Sequence, residues 1–362
     1  MRRSLANLLL ALGSVTAVLL VAELGLRLFV GPVPPHVRAP WFQNRMRAPE
    51  SIRAPSPFPG VPYLLAHGTE VVHDFDSNPR GYFDGDGTLT YRTNSLGWRE
   101  REFERQKRNG IFRIVGIGDS FTFGTGVRRE HLFLTRLQAA LDRERPRRYE
   151  VINLGVMGFN AAHEAALLQH YGVALNPDLV LVCFVLNDAE VLIPRQFRMR
   201  RLSALPPKPA GARPWSLLAE HLSVRLQNRK RNRQFIEKMR RNFEPDDAGW
   251  QQAVAALRLE KSLARRHGFQ LVLVVFPLLW DLGDGYPFAG IHAEVAAAGH
   301  RLDIPVLDLL QAFQGQETEA LWVHPSNHHP NEKAHSIAAR ALFAFLNERG
   351  LLDAGSPGAS LR

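Results

Sequence analysis

The chain has 362 residues, 45% of them hydrophobic, which suits one large domain or two small ones and excludes a mainly disordered chain. Lys and Arg number 45 against 35 Asp and Glu, a net charge of +10, yet residues 195–241 alone hold fourteen basic and two acidic side chains. The remainder is near neutral, so the affinity for anionic partners that such a charge implies belongs to one insertion and not to the fold. A single cysteine, Cys183, lies in the apolar run "LVLVCFVL", which excludes an intrachain disulfide and reads as a small buried core residue.

Leu5 to Ala22 is almost entirely apolar, with Asn7 the only strongly polar residue, close to the roughly 18–20 residues a helix needs to cross the hydrocarbon layer. Arg2 and Arg3 precede it, so the positive-inside rule puts the N-terminus in the cytoplasm and everything after about residue 30 outside it. A cleaved signal peptide is the competing reading. The apolar run is long for that, and no small-x-small site ends it, so an uncleaved anchor over 1–30 is expected. Glu23 and Arg27, four apart, should pair on one helix face.

Residues 31–60 are rich in Pro and Arg and read as a linker or an extended wrap over the surface. Residues 68–100 predict one β-hairpin, and together these segments form an extension over 31–110. From residue 111 strands and helices alternate. "FRIVGIG", "YEVINLGV", "DLVLVCFVLND", "FQLVLVVFPL" and "IPVLDLL" predict five strands, the third apolar throughout, as a strand buried on both faces should be. Helices are predicted between them, with one near 247–267 and a closing helix that ends at Gly350. The expected fold class is α/β: a flavodoxin-like three-layer α/β/α sandwich on a five-stranded parallel sheet over 111–352, interrupted by the basic insertion at 195–245. That insertion reads as a solvated helix pair with Trp215, Leu217, Leu218, Leu222 and Phe235 as its apolar face. A cap over the active-site edge or a patch resting on anionic lipid is the functional alternative.

Ligands of open parallel sheets bind beyond the carboxyl ends of the strands. The first three strands end in "GDS", "NLGVMG" and "LND". Ser120 on a rigid turn could be a nucleophile, with its own N–H, a glycine N–H of the second loop and the Asn187 amide as three oxyanion donors. A base is offered by "HPSNHHPNEKAH". Pro330 holds His329 in extended geometry, which makes His329 the best placed, with His328 in reserve and His335 a packing residue of the last helix. Asp119 and Asp188 read as turn-shaping residues. No metal-ligand spacing stands out, and no cofactor is expected.

These blocks, in order, resemble the SGNH (GDSL-type) hydrolases over about residues 111–350. "GDSFTFG" is similar to the family's first block, "NLGVMGFN" to the second, "LND" to the third and "HPNEKAH" to the last. "TNSLGWRE" is similar to the stretch that precedes the first block in membrane-anchored bacterial members. The resemblance implies an esterase with Ser120 and His329 as catalytic residues and Ser120, Gly158 and Asn187 as the oxyanion hole. Two positions depart from the pattern. Val185 replaces a glycine two residues before Asn187. Asn327 and Ser326 stand where an Asp usually orients the histidine, so Asn327 is expected to assist His329 without bringing charge. The expectation is a single-pass protein of the bacterial inner membrane, its catalytic domain facing the periplasm or exterior, which binds an ester-bearing small molecule, lipid or glycan and no nucleic acid. Acyl transfer to a cell-envelope glycan or lipid, and a degenerate fold kept for binding, are the alternatives.

Overall fold

The computed structural model describes residues 2–34, 37, 45–47, 53–75, 77–85, 87–191 and 214–352. The first helix, α1 (Arg2–Gly25), continues as a wider turn over Leu26–Val30. Residues 3–30 form the one helix among the described residues that is long and apolar enough to cross a membrane, and its apolar side chains are exposed along its length.

Five short strands follow. β1 (Arg45–Arg47), β4 (Glu70–Asp74) and β5 (Thr88–Arg92) make one antiparallel sheet, and β2 (Arg53–Pro55) pairs with β3 (Tyr63–Leu65). The β4–β5 pair is the hairpin expected at 68–100. The segment expected as linker or wrap contributes β1 and β2, and between them residues 48–52 lie outside the description.

β6 (Phe112–Gly118), β7 (Tyr149–Asn153), β8 (Leu179–Val185), β9 (Gln270–Phe276) and β10 (Val306–Asp308) form a wholly parallel sheet in the order β10-β9-β8-β6-β7. Every residue of β6, β7 and β8 is buried, and β8 accordingly reads as a continuous apolar run, while Arg113 of β6 and Glu150 of β7 are buried as an ion pair. Helices cover both faces: α3 (Phe133–Glu144) and α9 (Glu332–Glu348) pack on each other, as do α4 (Ala161–Leu167) and α6 (Ala248–His267), with α7 (Ala289–Arg301) beside β9 and β10. The strand order reverses between β6 and β8, and that crevice is where a ligand of this fold class binds. One-turn helix α2 (Ser120–Phe123) opens at the end of β6, one-turn helix α8 (Leu310–Phe313) follows β10, and the short hairpin β11 (Trp322–His324) and β12 (Asn327–Pro330) precedes α9.

Of the helix pair expected in the basic insertion, the described residues hold one helix, α5 (Leu217–Arg241). Residues 192–213 lie outside the description. The expected apolar face is split. Leu217 and Met239 are buried and Phe235 stacks on Trp280, whereas Trp215 is 88% and Leu222 53% exposed. Helical geometry explains this: positions 217 and 235 lie five turns apart on one face, and 222 falls well round from them. The N-terminus of α5 is tied to the end of α1. The Glu23 carboxylate accepts hydrogen bonds from the N–H groups of Leu217 (3.0 Å) and Leu218 (2.9 Å) and from Ser216 Oγ (2.9 Å). Arg27 completes the joint, 2.7 Å from Glu23 and 2.9 Å from the Trp215 carbonyl. A carboxylate here satisfies amides that a helix start leaves without partners.

Candidate active site

Ser120 is the first residue of α2. Asp119 caps this turn by accepting the Phe121 N–H at 2.8 Å, and Gly124 ends it in the left-handed region. The serine hydroxyl is thereby fixed on a strand-to-helix turn at the sheet edge. The loop after β7 packs against this turn. Leu154 and Val156 donate to the carbonyls of Gly116 and Gly118, so the loop after β7 runs along the end of β6. Gly155 sits directly against α2, where a Cβ would overlap the Phe123 nitrogen and the Thr122 carbonyl carbon.

His329 comes from β12. Its Nε2 lies 2.9 Å from Ser120 Oγ, and its Nδ1 lies 2.5 Å from Asn327 Oδ1. The same Asn327 oxygen accepts the His329 backbone N–H at 3.1 Å. That second bond fixes the amide's orientation, because only the oxygen can accept from a backbone N–H. The oxygen therefore faces Nδ1–H, and Nε2 is left with its lone pair toward the serine. Burial, aided by the neighbouring His328 ring, holds the His329 pKa down to about 4, so the imidazole is neutral at pH 7.

Asn187 follows β8, and its Nδ2 donates to Asp119 Oδ2 at 3.1 Å. Ser120 Oγ lies 3.2 Å from the same carboxylate oxygen, and its single hydrogen is directed to His329 Nε2 at the shorter distance of 2.9 Å. Asp119 thus orients the Ser120 turn and the Asn187 amide together. Burial raises its pKa, against the lowering effect of the bonds from Phe121, Asn187 and Ser120. Asp188 accepts the Val185 N–H at 2.7 Å and shapes the β8 turn. Gly158 follows Met157 with φ of +81°, a region open to glycine and costly for other residues. The structure brings Ser120, His329, Asn327 and Asn187 into one hydrogen-bonded chain through Asp119.

His328, held in reserve as the base, does not reach Ser120 and is not solvent-facing either. Its ring is half-buried and stacks on Trp322 at 3.7 Å, with Nε2 3.2 Å from the Pro325 carbonyl oxygen. Alternation along β12 sends it to the opposite side from His329. His335 is buried in α9 and accepts the Phe133 N–H at 3.2 Å, and Ser326 Oγ lies 2.7 Å from His324 Nδ1, away from His329.

A family model described as GDSL-like lipase/acylhydrolase matches residues 117–337, well over half of the chain. The chain belongs to that family. It is an ester hydrolase of the GDSL-like class, on the parallel sheet and strand order described above. No curated protein matches its sequence. Among solved structures, TesA aligns at 16% identity over 65% of this chain and 98% of its own, with a TM-score of 0.43. A mutant of an acetyl-xylooligosaccharide esterase from Geobacillus stearothermophilus aligns at 17% identity over 67% and 97%, with a TM-score of 0.42. A two-domain esterase active on acetylated mannans aligns at 13% identity over 66% of this chain and 49% of its own, with a TM-score of 0.41.

The GDSL-like match begins at residue 117 and leaves out a collar of residues that the sequence did not reveal as part of the site. Arg99 is buried. Its guanidinium donates to the carbonyls of Phe123 (2.7 Å), Gly124 (2.6 Å) and Val127, and lies 4.2 Å over the Tyr91 ring. Tyr91 Oη in turn accepts the Gly126 N–H. On the far side, Ser77 Oγ lies 2.9 Å from His324 Nε2, and Arg80 pairs with Glu332 at 2.6 Å. The only hint in the sequence was "TNSLGWRE", which contains Arg99.

Beneath the sheet edge lie three buried carboxyls, Glu164, Asp188 and Glu260, whose pKa values burial raises well above the usual range. Both Glu260 oxygens are buried with no hydrogen-bond partner among the described residues. A carboxyl whose folded pKa is raised contributes fully below its unfolded pKa of roughly 4.3, and that contribution is lost as pH rises through the folded value. Glu260→Gln is therefore expected to raise Tm at pH 8 and to leave it unchanged at pH 4, as read by thermal unfolding at both pH values. Equal shifts at the two pH values would show that the charge is not the cause.

Proposed function

We propose that this GDSL-like enzyme is a serine esterase that works through Ser120 and His329, with Asn327 as the orienting partner. The observation that carries the reading is the continuous Ser120–His329–Asn327 chain, 2.9 Å and then 2.5 Å, with its tautomer set by the Asn327 oxygen. His329 Nε2 takes the hydroxyl proton as Ser120 Oγ attacks the ester carbonyl carbon. The C=O π pair moves onto oxygen and forms a tetrahedral oxyanion. Its collapse expels the alkoxide, which takes the proton back from His329 and leaves as an alcohol. Water then attacks the acyl-serine by the same route, which releases the carboxylic acid and regenerates the serine.

The oxyanion is assigned to the Ser120 N–H, the Gly158 N–H and Asn187 Nδ2. An amide nitrogen carries two hydrogens, so Asn187 can keep its bond to Asp119 and give the other to the oxyanion. Each such donor contributes about 2.7–4 kcal/mol to the transition state. The anchor at 1–30, the collar from 31 to 110 and the catalytic sheet to 352 act as one unit in this reading. Arg2 and Arg3 orient it with the enzyme outside the cytoplasm.

A fluorophosphonate probe mimics the ester carbonyl and is captured by the attacking serine. The expected result is a single adduct mapped to the Ser120 peptide of the folded protein, absent in Ser120→Ala. Folded protein that takes up no label would overturn the assignment.

A further inference from the structure

The loop that carries Gly158 is held from outside the family domain, most closely by a phenol. Phe159 N donates to the Val156 carbonyl at 3.2 Å and closes a four-residue turn over Val156–Phe159. Gly158, the third residue of that turn, has φ of +81°, which makes it a type II turn. Types I and II differ by a rotation of about 180° in the central peptide, here Met157–Gly158. Within that plane the Met157 carbonyl and the Gly158 N–H point in opposite directions. Whatever holds the carbonyl therefore sets the direction of the N–H.

Tyr63 holds it. Its Oη donates to the Met157 carbonyl at 2.5 Å. Arg53 Nη2 reaches the same oxygen at 3.5 Å, and its guanidinium lies 4.2 Å over the Tyr63 ring. The ring itself is fixed: it is buried and meets Phe159 edge to face at 5.3 Å, and it sits on β3 opposite Pro55 of β2. Burial pushes its pKa up to about 12, so the phenol remains a donor at every pH at which an esterase is assayed.

We infer that Tyr63 is a positioning residue for the reaction: its bond to the Met157 carbonyl keeps the central peptide in the type II orientation and aims the Gly158 N–H at the oxyanion. Tyr63 touches no reacting atom. It acts through the peptide plane, so its removal lets that plane rotate and withdraws one of three donors for part of the time. The inference rests on the serine esterase reading and deepens its oxyanion hole.

The test uses full-length protein in detergent, with an aryl ester and the matching aryl thionoester, whose C=S accepts poorly from N–H donors. Tyr63→Phe is expected to lower kcat for the ester about tenfold or more, with KM within about twofold and an unchanged Tm, and to slow fluorophosphonate labelling to match. Thionoester turnover should change far less, so the ester-to-thionoester rate ratio falls. A merely structural role would lower both substrates together. Arg53→Gln, which keeps the phenol, is expected to shift the ratio in the same direction by less, and it serves if Tyr63→Phe does not fold. If wild type takes up label at Ser120 and both variants keep the wild-type ratio, or lose both activities in step, the positioning role is overturned. If wild type takes up no label, the esterase reading fails instead.

Discussion

Ser120→Ala is expected to lower kcat for aryl-ester hydrolysis by about ten-thousand- to a million-fold, with Tm unchanged, as read by initial rates and thermal unfolding of the same preparation. The large loss follows from the hydroxyl's place. It stands 2.9 Å from His329 Nε2 and 3.2 Å from Asp119, and alanine offers nothing to attack with. The unchanged Tm follows because the turn is capped by Asp119 to Phe121 N–H, a bond that alanine leaves intact. His329→Ala should cost a similar factor. The double variant should cost little more than either single one, since a nucleophile without its base and a base without its nucleophile are equally idle. A Ser120→Ala protein that keeps a tenth of the wild-type rate would remove Ser120 from the mechanism.

The second large effect concerns the missing charge. Asn327 supplies the correct tautomer but a dipole where a carboxylate would bring an anion. In the proposed mechanism an imidazolium forms in the transition state, and Asn327 would stabilise it less than a carboxylate by about 1 to 2 kcal/mol, the difference between a neutral and a charge-assisted hydrogen bond. Asn327→Asp should raise kcat at pH 8 by about five- to thirtyfold. It should also move the acid limb of the profile. The base works only when neutral, and burial keeps wild-type His329 neutral down to about pH 4. An adjacent carboxylate favours the protonated ring and raises that pKa. The variant is thus faster at pH 8 and loses its advantage as pH falls toward 5, which a pH series of kcat/KM would display. Parallel profiles for the two proteins would mean that Asn327 does not act on the His329 charge.

The parallel sheet was legible because buried parallel strands are written as apolar runs: "DLVLVCFVLND" has almost no other way to fold. The candidate site was legible where polar residues are concentrated in short blocks: the structure sets Ser120 Oγ 2.9 Å from His329 Nε2 and Asn187 Nδ2 3.1 Å from Asp119. The collar was not. β2 and β3 span three residues each, too few for a period-2 pattern to declare itself. Arg99 and Tyr63 matter through carbonyls of residues 123, 124, 127 and 157, and a bond to a backbone oxygen leaves no trace in the sequence of the acceptor. Arg113 escaped notice for the same reason. It sits inside apolar β6 and is satisfied by Glu150 at 2.6 Å and by the carbonyls of Glu104, Arg105 and Leu175. The face assigned to the basic insertion failed differently: its apolar residues were counted without the helical angle that separates Leu222 from Leu217.

The Glu23 joint decides how far the enzyme can forage. A free linker over 31–60 would let a tethered domain roam about 30 Å from its anchor. Here the carboxylate at the end of α1 grips the first turn of α5, and the leash has no slack at that point. On the proposal that α1 is a membrane anchor, the enzyme body would be held at the membrane and would search by lateral drift in two dimensions. Esters that share that surface meet it at high effective concentration. Esters in the bulk must come to it.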